Sequence, residues 1–560
     1  MIKKIINKIV NTKYVIILLV VITALAYANS LKNDFVWDDY LVIVDNNFVK
    51  TWNNFPAVFN KTYLTSSDSL KSPNLTGSGE TTYRPAVTIS YFIDYHFWKL
   101  NPLGYHLSNL LLHLTNVILL YLCVYLLLNN RYIAVLAALF FAIHPVNAEA
   151  VNVVSFREDL LMFLFIISAF ILYIKQHTAA GRKKSLCLIF SIVLFLLALF
   201  SKEAALVFPA IFLLYDYFFV FKQKWRELFK HAVSRYIGYI LATVIYLVAW
   251  VSLRGSGNVS SAQYPYPGGS FYTNLLTIFK VITTYLYWLI LPINIQAILP
   301  ENDPAFTQYS IFNPEAFFSL ILIILLFVAA LAMRKKLKEV SFAIFWFFIL
   351  LLPVINLIPI SCVIASRYLY LPMVGFCIGL AVILSKAYNF KSSFFSSYFL
   401  RKLCKNAVII ILVFYFVFTA IRNLAWKDNL VVWQELVESA PNNPQAHINL
   451  ANQFRKLGLF DSAAAEYQVA LRLNPNLPEA YDNWGIALGA QARYAEAVDY
   501  FKKAIEIDKE YVVAYNNLAV NYTYLNQSDE ARQAWVEALK VDPEYKEAKR
   551  NLEKLEQFNK

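Results

Sequence analysis

Asp38 and Asp39 stand side by side in the stretch FVWDDY, residues 35–40, just past the first apolar run of the chain. Adjacent carboxylates repel each other and are costly near a bilayer, so the pair needs a use. An acidic pair on a loop at a membrane surface suits a general base that deprotonates an acceptor brought to a lipid-borne substrate. Taken alone, the pair reads equally well as a solvated acidic loop. More ionisable groups recur at the borders of apolar runs: Arg84 in Tyr83-Arg84-Pro85, His144, Glu149, Arg157-Glu158-Asp159, Lys202-Glu203 and Arg367. Arginine and lysine at such borders suit a phosphate, the first through its forked donors and both through charge. Singly, Arg157, Glu158, Lys202 and Glu203 read just as well as snorkelling anchors or helix-end ion pairs. Their joint occurrence at the same ends of the runs favours a site. His106 and His113, one to two turns apart on one span, have a spacing open to ligands but read better as polar residues packed between helices. There is no Walker loop, dinucleotide-binding glycine pattern or nucleophile elbow, so a soluble nucleotide donor has no evident pocket.

The elements that must position these residues are membrane helices. The chain has 560 residues, 59% of them hydrophobic and 16% charged, which is a membrane-protein composition. Eleven apolar spans are expected, at 14–28, 107–128, 132–148, 160–174, 186–200, 204–220, 236–253, 317–333, 340–358, 368–384 and 407–421. The net charge is +13, and the first 440 residues carry the excess, 36 Lys and Arg against 20 Asp and Glu. Those cations sit before the first span and after every second one, as orientation signals do, so no nucleic-acid partner is expected. The run 274–293 would break the alternation and is expected as an interfacial or re-entrant segment of a long loop, 254–316. This topology places the N-terminus in the cytoplasm. It puts the first loop (29–106), the long loop and the C-terminal domain outside. The start of the chain also fits a signal peptide with Ala26-Tyr27-Ala28 as its site, but a retained first helix better anchors an acidic loop. The five cysteines fit neither a disulfide framework nor a metal site.

After a linker at 426–441, the pattern changes to a 34-residue period over 442–560. Ala446, Ala480 and Ala514 keep that spacing, as do Ala463, Ala497 and Ala531, and Ala470, Ala504 and Ala538. Tyr467, Phe501 and Trp535 fill an aromatic column, and Pro441, Pro475 and Pro543 mark turns, with Lys509 in place of one proline. This is the tetratricopeptide pattern, three repeats closed by a polar helix at about 545–558. Such solenoids bind extended peptides or proteins. Asn449, Asn483 and Asn517 recur at the same spacing on the first helix of each repeat and are expected to form an amide ladder that holds an acceptor peptide.

The ordered set FVWDDY, Tyr83-Arg84-Pro85, LNPLGYHLSNLLLH at 100–113, AIHPVNAEAV at 142–151, REDLL at 157–161, SKE at 201–203 and SRYLYLPMVGF at 366–376 resembles the transmembrane-and-tetratricopeptide O-mannosyltransferases and their prokaryotic relatives. Ser366 stands where those relatives commonly carry an acid. The resemblance covers nearly the whole chain. It implies a mostly α protein: a polytopic GT-C-type glycosyltransferase domain (1–425) followed by the solenoid. It implies an inverting transfer of mannose or a similar hexose from a polyprenyl-phosphate sugar to Ser/Thr hydroxyls of acceptor proteins, on the extracytoplasmic side. The membrane is the plasma membrane in a prokaryote and the endoplasmic reticulum in a eukaryote. Asp39 is expected as the base and Asp38 as the residue that orients the loop. Arg84, Arg157, Lys202 and Arg367 are expected on the donor phosphate, and Glu149 and His144 on the sugar or acceptor. No protein metal site is expected, and the need for a divalent cation is left open. The runner-up function is sugar transfer to a lipid, or ligation of a lipid-linked oligosaccharide, either of which leaves the repeats without a task. A non-enzymatic repeat scaffold is the third reading, and it leaves the acidic pair and the cations unexplained.

Overall fold

The computed structural model describes residues 12–60, 83–254, 266–295, 306–360, 362–390 and 397–558. The basic N-terminal residues Lys3, Lys4 and Lys8 lie outside the described residues, as do parts of both long loops. The chain forms two compact units, Met1–Asp428 and Asn429–Lys560.

The first unit contains helices α1 (Thr12–Ala26), α2 (Pro85–Trp98), α3 (Pro102–Leu128), α4 (Arg131–Ala142), α5 (Ala148–Asn152), α6 (Arg157–Gln176) and α7 (Gly181–Leu199). It continues with α8 (Pro209–Tyr215), α9 (Trp225–Arg254), α10 (Phe271–Ile290), α11 (Pro314–Met333), α12 (Lys338–Leu351), α13 (Met373–Tyr388) and α14 (Ser397–Leu424). Asn101, Asn130 and Asn313 cap α3, α4 and α11 by accepting from backbone N–H groups of the first turn. The core packs α3 against α4 and α6, α6 against α7, and α13 against α4 and α12. Gly375 permits the last contact, because a Cβ there would stand 2.3 Å from the Ala343 carbonyl oxygen.

Among the described residues six helices are long and apolar enough to cross a bilayer, or seven if α4 and the segment Pro145–Asn152, bent by 50°, count as one span. Length and apolarity therefore support fewer crossings than the eleven expected. α1, α12 and α13 have only 15, 14 and 16 residues, and α6 and α7 open on charged residues.

The basic clusters gather at one end of this unit. Gln223 donates to the Arg334 carbonyl, and Arg235 and His177 both approach the buried Asp216. Tyr132 meets Tyr388, and Lys386 lies 3.9 Å from Glu339. The acidic pair lies at the other end, where His106 at the start of α3 meets the Asp34 carbonyl at 3.3 Å. α10 is among the six helices able to cross, yet its partners from first turn to last belong to the acidic-loop end. Asn274 pairs with Asn356, Lys280 with Glu315, Thr283 with Ser319, the Tyr285 hydroxyl with the Ala365 amide, and the Leu289 carbonyl with His144.

The first long loop is more structured than its polar composition suggested. Besides α2 it has a core of its own, in which Phe35, Ile43, Phe48, Val58, Tyr91 and Phe92 are buried together. Its start is tied down by four amides. Asn33 donates to Asn152 and to the Asn423 carbonyl, Asn152 donates to Asn423, and Asn423 donates to Asn29.

In the second unit, α15 (Asn429–Ser439) replaces the linker expected at 426–441. Val432 and Leu436, one turn apart, bury against the next helix, which gives the segment an amphipathic reason to fold. Three helix pairs follow: α16 (Pro444–Lys456) with α17 (Phe460–Leu473), α18 (Pro478–Ala490) with α19 (Tyr494–Ile507), and α20 (Val512–Tyr524) with α21 (Ser528–Val541). Helix α22 (Lys546–Phe558) covers the last pair. All nine alanines of the 34-residue columns are fully buried. A Cβ on Gly485 would stand 2.7 Å from the Phe501 ring, so the aromatic column needs a small residue opposite it.

Candidate functional site

The acidic pair sits on a strained turn. Trp37 has φ of 53°, a left-handed conformation that costs a residue with a side chain on the order of 1 kcal/mol. The turn sends the two carboxylates to different places. Asp39 is fully buried and accepts from the Val36 amide (3.1 Å) and the Ser155 amide (2.6 Å), which pins the loop to the approach to α6. Asp38 is half-buried. Burial pushes its carboxyl up to about 6, the Arg367 guanidinium pulls it down, and Glu158 pushes it up. Asp39 is also raised to about 6 by burial, against the hydrogen bonds it accepts. The geometry therefore reverses the expected roles: Asp38 is the open carboxylate, and Asp39 holds the loop.

The four expected phosphate ligands are all paired with carboxylates. Arg84 forks onto Glu203 (2.8 and 3.2 Å) and also reaches Glu158 at 3.2 Å. Lys202 contacts Asp159 at 2.6 Å and Glu158 at 3.5 Å. Arg367 is held by Glu149, which accepts from its guanidinium, from its backbone amide at 2.9 Å and from the Ser366 hydroxyl at 2.7 Å. The Tyr368 ring lies under both Lys202 and Arg367. Glu158 and Tyr368 thus join Arg84, Lys202 and Arg367 into one cluster, and Asp38 feels the charge of two of its members. Arg367 is nearly buried against the Phe156 ring, and its Nε has no hydrogen-bond partner among the described residues.

Arg157 does not join this cluster. It is 1% exposed, with Nε on Asn109, Nη1 on Ser90, and Nη2 on the Tyr105 carbonyl and on Asp94 at 2.6 Å. Its donors are spent on joining α2, α3 and α6, so a phosphate-binding role does not fit its position. His144 is likewise fully buried. It accepts from the Val146 amide to cap the following turn, and its Nε2 faces the Leu289 carbonyl, so it reaches neither sugar nor acceptor. Glu149 is fully buried and acts on the turn 366–369, not on a substrate. The serine that stands in place of an acid at position 366 is explained by the same contact: it donates to Glu149. Among the described residues no group of three or more His, Cys, Asp or Glu side chains is arranged to hold a metal ion.

Sequence reading missed Asp94 and the Asn29–Asn33–Asn152–Asn423 network. The recurrence of asparagine at the ends of apolar runs was the available signal. In the repeats, Asn449 and Asn483 are half-buried, whereas Asn517 donates to the buried Asp482 of the preceding repeat at 2.9 Å. One amide of the expected ladder therefore joins two repeats to each other.

A helical domain with membrane-length apolar helices, a buried ion-pair cluster beside an open carboxylate, and a helical-repeat unit is the class that fold and site define. Tetratricopeptide repeat models match residues 432–478, 478–511 and 512–541. The homologues of the chain are protein O-mannosyl-transferases. It is 24% identical over 470 residues to protein O-mannosyl-transferase F38B6.6 of Caenorhabditis elegans, across 82% of this chain and 62% of that protein. It is 25% identical over 507 residues to human protein O-mannosyl-transferase TMTC1, across 80% and 54%. The chain thus spans little more than half the length of the curated relatives it matches. Among solved structures, the first TPR of Spaghetti (RPAP3) bound to an HSP90 peptide matches 20% of this chain and 91% of its own at 23% identity, with a TM-score of 0.20.

Proposed function

We propose that the chain is an integral membrane glycosyltransferase that moves mannose or a similar hexose from a polyprenyl phosphate to serine or threonine hydroxyls of proteins. The observation that carries this reading is a half-buried carboxylate, Asp38, within the field of Arg367, whose Nε has no hydrogen-bond partner among the described residues. Asp38 takes the proton of the acceptor hydroxyl as its oxygen forms a bond to the anomeric carbon. The bond from that carbon to the phosphate oxygen breaks, its electron pair leaves with the lipid phosphate, and the anomeric configuration inverts. The departing phosphate gains a negative charge, which Arg367 is placed to stabilise, with Lys202 and Arg84 behind it. Asp39, Glu149 and Arg157 position these groups. A base with a pKa near 6 is ionised at neutral pH and still strong enough to assist an alcohol. Transfer should therefore rise with pH through about 6 and level off above it.

The test uses the purified full-length chain and a panel of labelled polyprenyl-phosphate sugars. Asp38→Asn should lower transfer by roughly two orders of magnitude or more while donor binding persists. Near-normal transfer by this variant rejects the assignment, and no transfer from any donor by the unmodified chain rejects the reading. Arg367→Lys keeps charge but loses the fork, and should weaken donor use more than acceptor use.

The reading places the site and the repeats on the extracytoplasmic side. In intact cells a membrane-impermeant thiol reagent should label a cysteine introduced at Asn526 and spare one at Arg182; the reverse pattern excludes that orientation. The repeats serve acceptor docking, with Asn449 and Asn483 offering amides to a peptide backbone. Replacing both by alanine should raise the apparent KM for a protein acceptor and leave a short peptide unaffected. An equal effect on both substrates removes the repeats from acceptor recognition.

A further inference from the structure

The end of the first unit opposite Asp38 holds a cavity of about 630 Å3 between the C-terminal ends of α3 and α13 and the N-terminal ends of α4 and α12. That volume is in the range of small-molecule sites. Its walls are of two kinds. Leu128, Phe219 and Val382 form an apolar side, and Lys338 and Lys386 supply cations. The Lys338 ammonium lies 5.0 Å from the centre of the Phe219 ring. Lys386 is half exposed and meets Glu339 at 3.9 Å, a loose pair, so the lining side chains keep a net charge of +1.

The surroundings say which class of molecule such a cavity meets. It lies where the basic loops gather and where apolar helices end, the level at which a bilayer changes from acyl chain to headgroup. Basic pockets between membrane helices at that level bind anionic headgroups. An apolar wall beside two ammonium groups matches a ligand with a phosphodiester joined to hydrocarbon, and a net charge of +1 matches a net charge of −1. We propose that this cavity binds the headgroup and upper chain of one anionic phospholipid. The phosphodiester lies between Lys338 and Lys386, and the glycerol and first methylenes lie against Phe219 and Val382. Glu339 disfavours headgroups with a second negative charge. The site is separate from the donor cluster, and it would couple the packing of four helix ends to the lipid around the protein.

The experiment is native mass spectrometry of the full-length protein in detergent, titrated with dioleoyl phosphatidylglycerol, phosphatidylethanolamine or phosphatidylcholine. Phosphatidylglycerol should be retained on the order of tenfold more tightly than either zwitterionic lipid. Lys338→Gln with Lys386→Gln should abolish that preference. Lys183→Gln with Lys184→Gln, which removes two cations from the first turn of α7, outside the cavity lining, should leave it intact. Ser385→Phe fills the cavity while keeping both lysines, and should abolish the preference without lowering the net charge. Millimolar inorganic phosphate should not displace the lipid. The proposal fails if the cavity variants retain phosphatidylglycerol as well as the unmodified chain does, or if the Lys183/Lys184 variant loses it equally, which means diffuse attraction. It also fails if phosphatidylethanolamine is preferred, or if inorganic phosphate competes, which makes the cavity a site for soluble anions.

Discussion

In the repeat unit the groups buried between helices are mainly apolar, with alanines and aromatic rings repeated every 34 residues. At the acidic-loop end of the first unit they are Asp39, Glu149, Arg157, Lys202 and Arg367. A buried alanine needs only a neighbour of the right size. A buried carboxylate needs a donor or a cation, and its removal strands that partner. The partners here come from far along the chain. Glu149 and Arg367 are 218 residues apart, Arg84 and Glu203 are 119 apart, and Asp39 and Ser155 are 116 apart. The repeat unit should therefore tolerate local damage, whereas the charged end should fail as a unit when one member is removed.

The sharpest way to break this comparison is Glu149→Ala. It leaves Arg367 buried and unpaired, and should cost about 3–5 kcal/mol, read as a large drop in the thermal unfolding temperature of the purified protein. An unchanged temperature would falsify the anchoring role. The next largest effect concerns Asp482, the one buried carboxylate among the described residues of the repeats. Burial raises Asp482 to about 6, against the hydrogen bond from Asn517. Because its folded pKa lies above the unfolded value, the folded repeat binds more protons between about pH 4 and 6, and stability is lost as pH rises through about 6. Asp482→Asn should flatten that dependence and stabilise the repeats at neutral pH by up to about 3 kcal/mol. Hydrogen-exchange protection factors of α18 and α20, corrected for the intrinsic rise of amide exchange with pH, measure it at two pH values, and greater protection at pH 7 than at pH 5 in the unmodified chain contradicts it.

Ala497→Leu overpacks one slot of the solenoid and should cost about 2 kcal/mol. Faster exchange should stay within the neighbouring repeat helices, as expected for a unit held by nearest-neighbour contacts. Uniform loosening of the whole repeat unit would show the contrast to be overdrawn. Asp39→Asn should have the smallest stability effect, about 1 kcal/mol, since one acceptor oxygen survives. Its signature is a lower kcat accompanied by a lower unfolding temperature, whereas Asp38→Asn should lose activity without any lowering of that temperature, because burial already raises the Asp38 pKa. If the two variants behave alike, the division of labour between the carboxylates is wrong.

The difference between the units also explains what could be read without coordinates. The alanine and aromatic columns were legible because each repeat restates the same contact, so the period alone reveals it. Membrane character was equally plain in the composition. The boundary of the repeats was not, because α15 precedes the first full period and shows only Val432 and Leu436 on one face. At the other end, residue types and spacing picked out Arg84, Lys202 and Arg367, which the fold joins through Glu158 and Tyr368, and the acidic pair, of which Asp39 is spent on holding the loop. They also drew in Arg157 and His144, whose donors and acceptors are used up inside the fold.

The sequence by itself determined a chain of apolar helices, a 34-residue solenoid, and charged groups at the ends of the runs. Tertiary structure decided which carboxylate stays open, which cations share a cluster, and that α10 keeps to the acidic-loop end from its first turn to its last. The reason is physical. Helical periodicity and repeat packing act between residues near each other in sequence, so they leave a pattern that can be read directly. The turn at Trp37 and the pairing of charges more than a hundred residues apart depend on where the chain returns in space, and no local pattern records that.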